Sequence, residues 1–134
     1  MKKIKIYAIC FEVLLMVALL PLGGCKTGVA SSPQALLDRY FSSAQKQDYS
    51  ASYDCYYAAY KAKVNRAEYI KRRKADPSVL KDYKVLSAVQ AGDSAQAQVQ
   101  LTFAPAGKLK ATPVVINVTE QMIKENGDWK IKVW

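Results

Sequence analysis

Polar and apolar positions along this chain follow three regimes in turn: a nearly unbroken apolar run near the start, a stretch of helical period, and alternation from Tyr83 onward. In the middle regime Leu36, Leu37, Tyr40, Phe41 and Ala44 recur at the spacing of an amphipathic helix. Ser32 before Pro33 supplies an N-cap and a first helical residue, so this helix is predicted over Pro33–Gln45. Asp48 opens a second helical stretch in which Tyr49, Tyr53, Tyr56, Tyr57 and Tyr60 share one face. Asn65 with Glu68 three residues on is a variant of the capping box. It starts a third helix that should run to about Lys74, before Asp76-Pro77 ends it.

The alternating regime predicts strands. Tyr83, Val85, Ser87 and Val89 form one row, and a Gly92-Asp93 turn follows. Ala95, Ala97, Val99, Leu101 and Phe103 then alternate with Gln96, Gln98, Gln100 and Thr102, the pattern of a strand with one buried and one wet face. Val114, Ile116 and Val118 lead a third strand reaching about Lys124. Asn126-Gly127-Asp128 is a hairpin turn, and Trp129, Ile131 and Val133 belong to the last strand. The expected fold class is α+β, with N-terminal helices packed on a curved four-stranded antiparallel sheet.

The first regime carries information of another kind. Lys2, Lys3 and Lys5 lead into the apolar run, which ends in Leu22-Gly23-Gly24-Cys25. Glu12 interrupts it, and Pro21, Gly23 and Gly24 break it well short of the roughly 20 apolar residues that a spanning helix needs. A basic head, a short apolar core and small residues before a cleavage point are the order of an export signal. The stretch resembles the lipobox of bacterial lipoproteins. That resemblance implies a diacylglyceryl group on the Cys25 thiol, acyl chains such as palmitate, and cleavage that makes Cys25 the new N-terminus. Residues 1–24 are then a signal peptide, 25–32 the lipidated cysteine and a small polar tether, and 33–134 one domain. The implied location is the cell envelope, outside the cytoplasmic membrane. In a cell with two membranes it is the outer one, because Lys26 stands where the family's retention signal has aspartate.

Composition narrows the chemistry. The chain carries 20 Lys and Arg against 11 Asp and Glu; losing Lys2, Lys3, Lys5 and Glu12 with the signal leaves a basic domain. It has no histidine, which removes Ser-His-Asp and Cys-His catalysis and the usual zinc sites, so no metal or cofactor is expected. Of three cysteines, Cys10 leaves with the signal and Cys25 is lipidated. Cys55 then has no intramolecular partner and reads as a small buried residue.

The Leu36-Leu37 and Tyr40-Phe41 helix, the Lys46-Gln47-Asp48-Tyr49 junction and the terminal Asn126-Gly127-Asp128-Trp129-Lys130-Ile131 strand resemble the nuclear-transport-factor-two-like superfamily. Small bacterial lipoproteins carry such a domain. The resemblance covers about residues 33–134 and implies a cone, a curved sheet wrapped around helices and often open at one end. Some enzymes of the superfamily, isomerases and cyclases among them, use a cavity carboxylate as base with a tyrosine hydroxyl steadying an oxyanion.

Three constellations are candidates for function. Tyr53, Tyr56, Tyr57 and Tyr60 could line a ligand pocket, against the plainer expectation that an aromatic stripe is core. Lys61, Lys63, Arg66, Lys71, Arg72, Arg73 and Lys74 could meet anionic lipid headgroups or acidic envelope polymers, against the alternative of a solvated helix face. Nucleic acid is not an expected partner, since the aromatics group away from this segment. Asp54 with Tyr57 or Tyr53 could imitate the acid-base pair, and Glu120, the acid continuing the Val114-Ile116-Val118 parity, would be a base if burial raised its pKa. The expected function is a non-catalytic envelope lipoprotein domain that binds a ligand or a protein partner. An isomerase or cyclase relative is the alternative.

Overall fold

The computed structural model describes residues 29–105 and 112–133. The signal segment and Cys25 lie outside the described residues. Four helices precede four strands: α1 Pro33–Gln45, α2 Tyr49–Asp54, α3 Ala58–Lys63, α4 Arg66–Ala75, β1 Ser78–Ala91, β2 Ser94–Pro105, β3 Val114–Glu125 and β4 Asp128–Lys132. The strands form one antiparallel sheet in the order β1-β2-β3-β4, a meander with two-residue turns between β1 and β2 and between β3 and β4. At the β3–β4 turn Asn126 and Gly127 both have positive φ, 52° and 82°, as a primed hairpin turn requires.

Local chemistry explains the helix starts. The Ser32 hydroxyl accepts from the Ala35 N–H with Pro33 at the first helical position, Asp48 caps α2 through the Ala51 N–H, and Asn65 caps α4 through the Glu68 N–H. The core lies between α1 and the concave face of the sheet. Leu36, Leu37 and Phe41 from α1 meet Ala97, Val99 and Leu101 of β2, Met122 of β3, and Trp129 and Ile131 of β4. Each large side chain so buried contributes about 1.5–3 kcal/mol before ordering entropy is subtracted. Two buried serines link α1 to α2, with Ser43 Oγ and Ser52 Oγ 3.0 Å apart and both bonded to backbone carbonyls.

Two features depart from the simple periodicities. The tyrosine stretch is two helices, broken at Cys55–Tyr57. There the edge strand β4 takes up the backbone: the Ile131 N–H donates to the Cys55 carbonyl at 2.8 Å, and the Tyr57 N–H donates to the Ile131 carbonyl at 3.1 Å. Capturing this segment covers an otherwise unpaired sheet edge. Strand β1 carries irregularities in register between Leu80 and Asp82 and again between Val85 and Ser87. Each inserts a residue and reverses the alternation. Leu80, Tyr83 and Val85 therefore stay inside or at its border, while Val89, in the inward row by plain alternation, is 69 % exposed.

Candidate functional site

The tyrosine face is mostly structure. Tyr49, Tyr53 and Tyr56 are buried, and their neighbour Tyr69 on α4 joins them. The Tyr53 hydroxyl donates to the Val64 carbonyl at 2.8 Å and the Tyr57 hydroxyl to the Val133 carbonyl at 2.5 Å. Tyr40 and Tyr56 hydroxyls are 2.6 Å apart, and burial raises the pKa of both, so they remain protonated. Tyr60 lies half-buried with its ring 4.5 Å from that of Tyr56. These rings pack against one another, and the hydroxyls of Tyr53, Tyr56 and Tyr57 are spoken for by the protein itself.

Nor does the structure assemble Asp54 into an acid-base pair with a tyrosine. Its carboxylate meets the Arg66 guanidinium at 2.5 Å on the surface, and this hydrogen bond holds its pKa below the ordinary carboxylate value. Glu120 is placed differently. Its register partner on β2 is Ala97, which is 1 % exposed, and its strand neighbour of like parity is the buried Met122, so its side chain faces the concave side. It is half-buried, and no hydrogen bond or ion pair reaches it from the described residues. Its charge is felt at the Tyr40 hydroxyl, and burial pushes its carboxyl pKa up from the ordinary 4.5.

This placement has a testable consequence. A carboxyl whose pKa is higher folded than unfolded weakens the fold as pH rises from the unfolded value through the folded one. Glu120→Gln should therefore stabilise the domain at pH 7 by about 1 kcal/mol, and the gain should fade as the pH drops below the unfolded value. Urea titrations of both proteins across that range check it. A gain independent of pH, or a loss at pH 7, would contradict the assigned environment.

The seven basic residues are not one surface. Lys63, Lys71, Arg72 and Lys74 are exposed, with Arg72 paired to Glu68 one helical turn away. Arg66 binds Asp54 and lies over the Tyr53 ring, 4.9 Å from its centroid. Lys61 turns toward the end of α2, where its Nζ donates to the Asp54 carbonyl. Arg73 turns the other way, toward the wide end of the sheet.

There, Arg73, Asp76, Ser78, Phe103, Val114 and Ile116 line a groove of about 310 Å³. The walls from β2 and β3 are apolar, and Val114 and Ile116 are 54 % and 41 % exposed, as though the sheet face continued beyond the helices that cover it. Arg73 stands at the rim with its Nη1 3.6 Å from Asp76. Its Nε is buried and has no hydrogen-bond partner among the described residues. A buried donor without an acceptor costs on the order of 1–3 kcal/mol, so this atom is a preformed demand for one. Sequence reading grouped Arg73 with its basic neighbours; nothing in the α4 pattern shows that one of four consecutive cations turns inward. Phe103 was read in the inward row of β2 and is partly buried, whereas Val114 and Ile116 beside it are exposed.

Among the described residues no cluster of His, Cys, Asp and Glu could hold a metal ion, and no helix is long and apolar enough to cross a membrane. Cys55 is buried and free, its thiol pKa raised by burial.

The chain matches no protein-family model and no curated protein. Its fold is similar to solved structures. A SEC-C motif containing protein from Rhodopseudomonas palustris superimposes with a TM-score of 0.66 at 15% identity, covering 79% of each chain. A putative calcium/calmodulin-dependent protein kinase type II association domain from Thiobacillus denitrificans gives 0.60 at 11% identity, over 78% of this chain and 92% of that one. A SEC-C motif containing protein from Psychrobacter arcticus gives 0.59 at 12% identity, over 78% of this chain and 60% of that one. At these identities the likeness establishes a shared α+β fold, helices against an antiparallel sheet, and nothing about activity.

Proposed function

We propose that this chain is a bacterial envelope lipoprotein, anchored through Cys25, whose nuclear-transport-factor-two-like domain binds a small amphipathic acid in the groove at the wide end of its sheet and does not transform it. The observation that carries the reading is the Arg73 Nε, buried and unpartnered beside the apolar walls of Phe103, Val114 and Ile116. A guanidinium offers a carboxylate or phosphate paired donors, and the walls offer its apolar part a dry surface. Asp76 engages the other side of Arg73 only loosely, leaving Nε to a ligand. The likeness to the association-domain structure supports the cone-like fold, and the Leu22-Gly23-Gly24-Cys25 segment supports the anchor.

A fluorescent sulfonate with an apolar body, anilinonaphthalene sulfonate, serves as probe, with decanoate as competitor. Decanoate should displace it from the wild type, and Arg73→Gln should weaken that displacement about tenfold or more, the scale of one lost charge-assisted hydrogen bond. Decanol, which lacks the charge, should not distinguish the two proteins. Equal displacement by decanoate from both would refute the assignment.

Glu120 favours a second reading, an isomerase- or cyclase-like activity, because a half-buried carboxyl with a raised pKa next to Tyr40 has the character of a base. Against it, the Tyr40 hydroxyl is already engaged by Tyr56.

A further inference from the structure

The two edges of the sheet are treated differently. At β4 the outer backbone is taken up by Ala30 and by residues 55–57. At β1 the first half is guarded: the Lys81 carbonyl accepts from the Gln45 amide at 2.8 Å, and the Tyr83 N–H donates to the Asp82 carboxylate at 2.9 Å. The second half is not. Residues 86–91 are all exposed, with Leu86 at 48 % and Val89 at 69 %, and among the described residues no helix or loop backbone bonds to them. Past the irregularity between Val85 and Ser87 the pairing with β2 runs without a further shift to Ala91. This stretch carries neither a charge nor a proline, the usual protections of a free edge.

The Gly92-Asp93 turn fixes which backbone groups face outward. Of its two residues only Gly92 has positive φ, 58°, and Ala91 and Ser94 close the turn as a hydrogen-bonded pair. Counting back by alternation, Val89 and Ser87 also bond to β2, so the N–H and C=O groups of Ala88 and Gln90 point away from the sheet. Opposite charges flank the stretch, Lys84 before it and Asp93 after it, and neither has an ion-pair partner among the described residues. A parallel copy of the strand would set Lys84 against Lys84; an antiparallel copy sets Lys84 against Asp93 at both ends. A two-fold axis through Val89 puts Ala88 opposite the partner's Gln90, with about four backbone hydrogen bonds in all, and Val89 against the partner's Val89. We propose that residues 86–91 are a homodimer contact, through which two copies of this chain join antiparallel along β1 into one continuous sheet. The ligand groove reaches β1 only at Ser78, the other end of the strand, so it stays open in the dimer. Backbone bonds over so small an area make a weak dimer, with a dissociation constant of about 10–100 µM.

The test uses the whole chain, purified in a detergent that matches the density of the solvent. Sedimentation equilibrium well above that constant should give twice the mass of one chain. Ala88→Pro removes an outward N–H and leaves the bonds to β2 intact, so it should keep the wild-type far-ultraviolet spectrum and sediment as a single chain. Val89→Cys reads the contact independently of that variant, because facing residues of a non-hydrogen-bonded pair lie about 4.5 Å apart at Cα, within the span of a disulfide. Under mild oxidation, with the wild type as background, it should form a covalent dimer at least roughly tenfold faster than Gln96→Cys, which is equally exposed on the same face but one strand in from the edge. A wild type that sediments as one chain, dimers that persist in Ala88→Pro, or equal cross-linking of the two cysteine variants would overturn the homodimer. Cross-linking of Val89→Cys in cells to a different protein, with no covalent dimer, would assign the edge to a foreign strand and overturn it too.

Discussion

Trp129→Ala should cost the domain about 3–5 kcal/mol, a large share of the 5–15 kcal/mol that holds a domain of this size folded. Trp129 is 1 % exposed and belongs to the same core as Leu36, Leu37, Met122 and Ile131. It also sits on a short edge strand whose outer side is met by Ala30 and the Cys55–Tyr57 segment. Removing the indole leaves a cavity where the sheet edge, the tether root and the helix break meet, and the backbone there has little other packing to relax onto. Thermal unfolding should shift down by roughly 15–25 °C. Val89→Ala is the matched control. Plain alternation along β1 puts Val89 inside, but the two irregularities put it outside, and its truncation should change stability by less than about 0.5 kcal/mol. A small effect at Trp129, or a large one at Val89, would mean that the core has been drawn on the wrong face.

Cys25→Ala should abolish membrane anchoring. The wild-type protein should fractionate with membranes, and its N-terminal peptide should begin at Cys25 and carry a diacylglyceryl mass. The variant offers no thiol for that group, so it should accumulate as a precursor retaining residues 1–24 or be released in soluble form. The effect is large because one acyl group with two chains supplies nearly all the affinity, at about 0.8 kcal/mol per buried methylene. Unchanged processing and an unmodified N-terminus in the wild type would remove the anchor from the account.

Much of the architecture was legible in local chemistry. Ser32-Pro33, Asn65 with Glu68, and Asn126-Gly127 act within a few residues, and each starts or turns an element where its own side chain or φ demands it. The alternation of Ala95 through Leu101 against Gln96 through Gln100 was equally plain, since β2 is a central strand with a helix on only one face. What escaped depends on partners far away in sequence. No local signal at Cys55–Tyr57 breaks the tyrosine helix; Ile131, more than 70 residues on, does so by pairing with its backbone. The irregularities in β1 likewise have no local signal, and Val89 loses its inward place through the second of them.

The site was harder to see than the fold for the same reason. A row of tyrosines reads alike whether its hydroxyls face a ligand or a carbonyl, and here Val64 and Val133 supply the carbonyls. A basic helix gives no sign of which cation turns inward. Arg73 does so because it is placed over Tyr49, with its guanidinium carbon 5.8 Å from the ring centroid, beside the uncovered ends of β2 and β3. The parity of Glu120, by contrast, was visible in the strand pattern, and its register with Ala97 places it on the concave face.

The decanoate titration, followed by NMR on the nitrogen-15 and methyl-labelled protein, tests the central claim most directly. The Arg73 Nε–H and the Ile116 methyl signals should move together and saturate with a single binding constant, while the Trp129 indole and the Lys130 backbone amide stay in place. Shifts clustered away from Arg73, or signals at Arg73 and Ile116 that do not respond to decanoate, would contradict it.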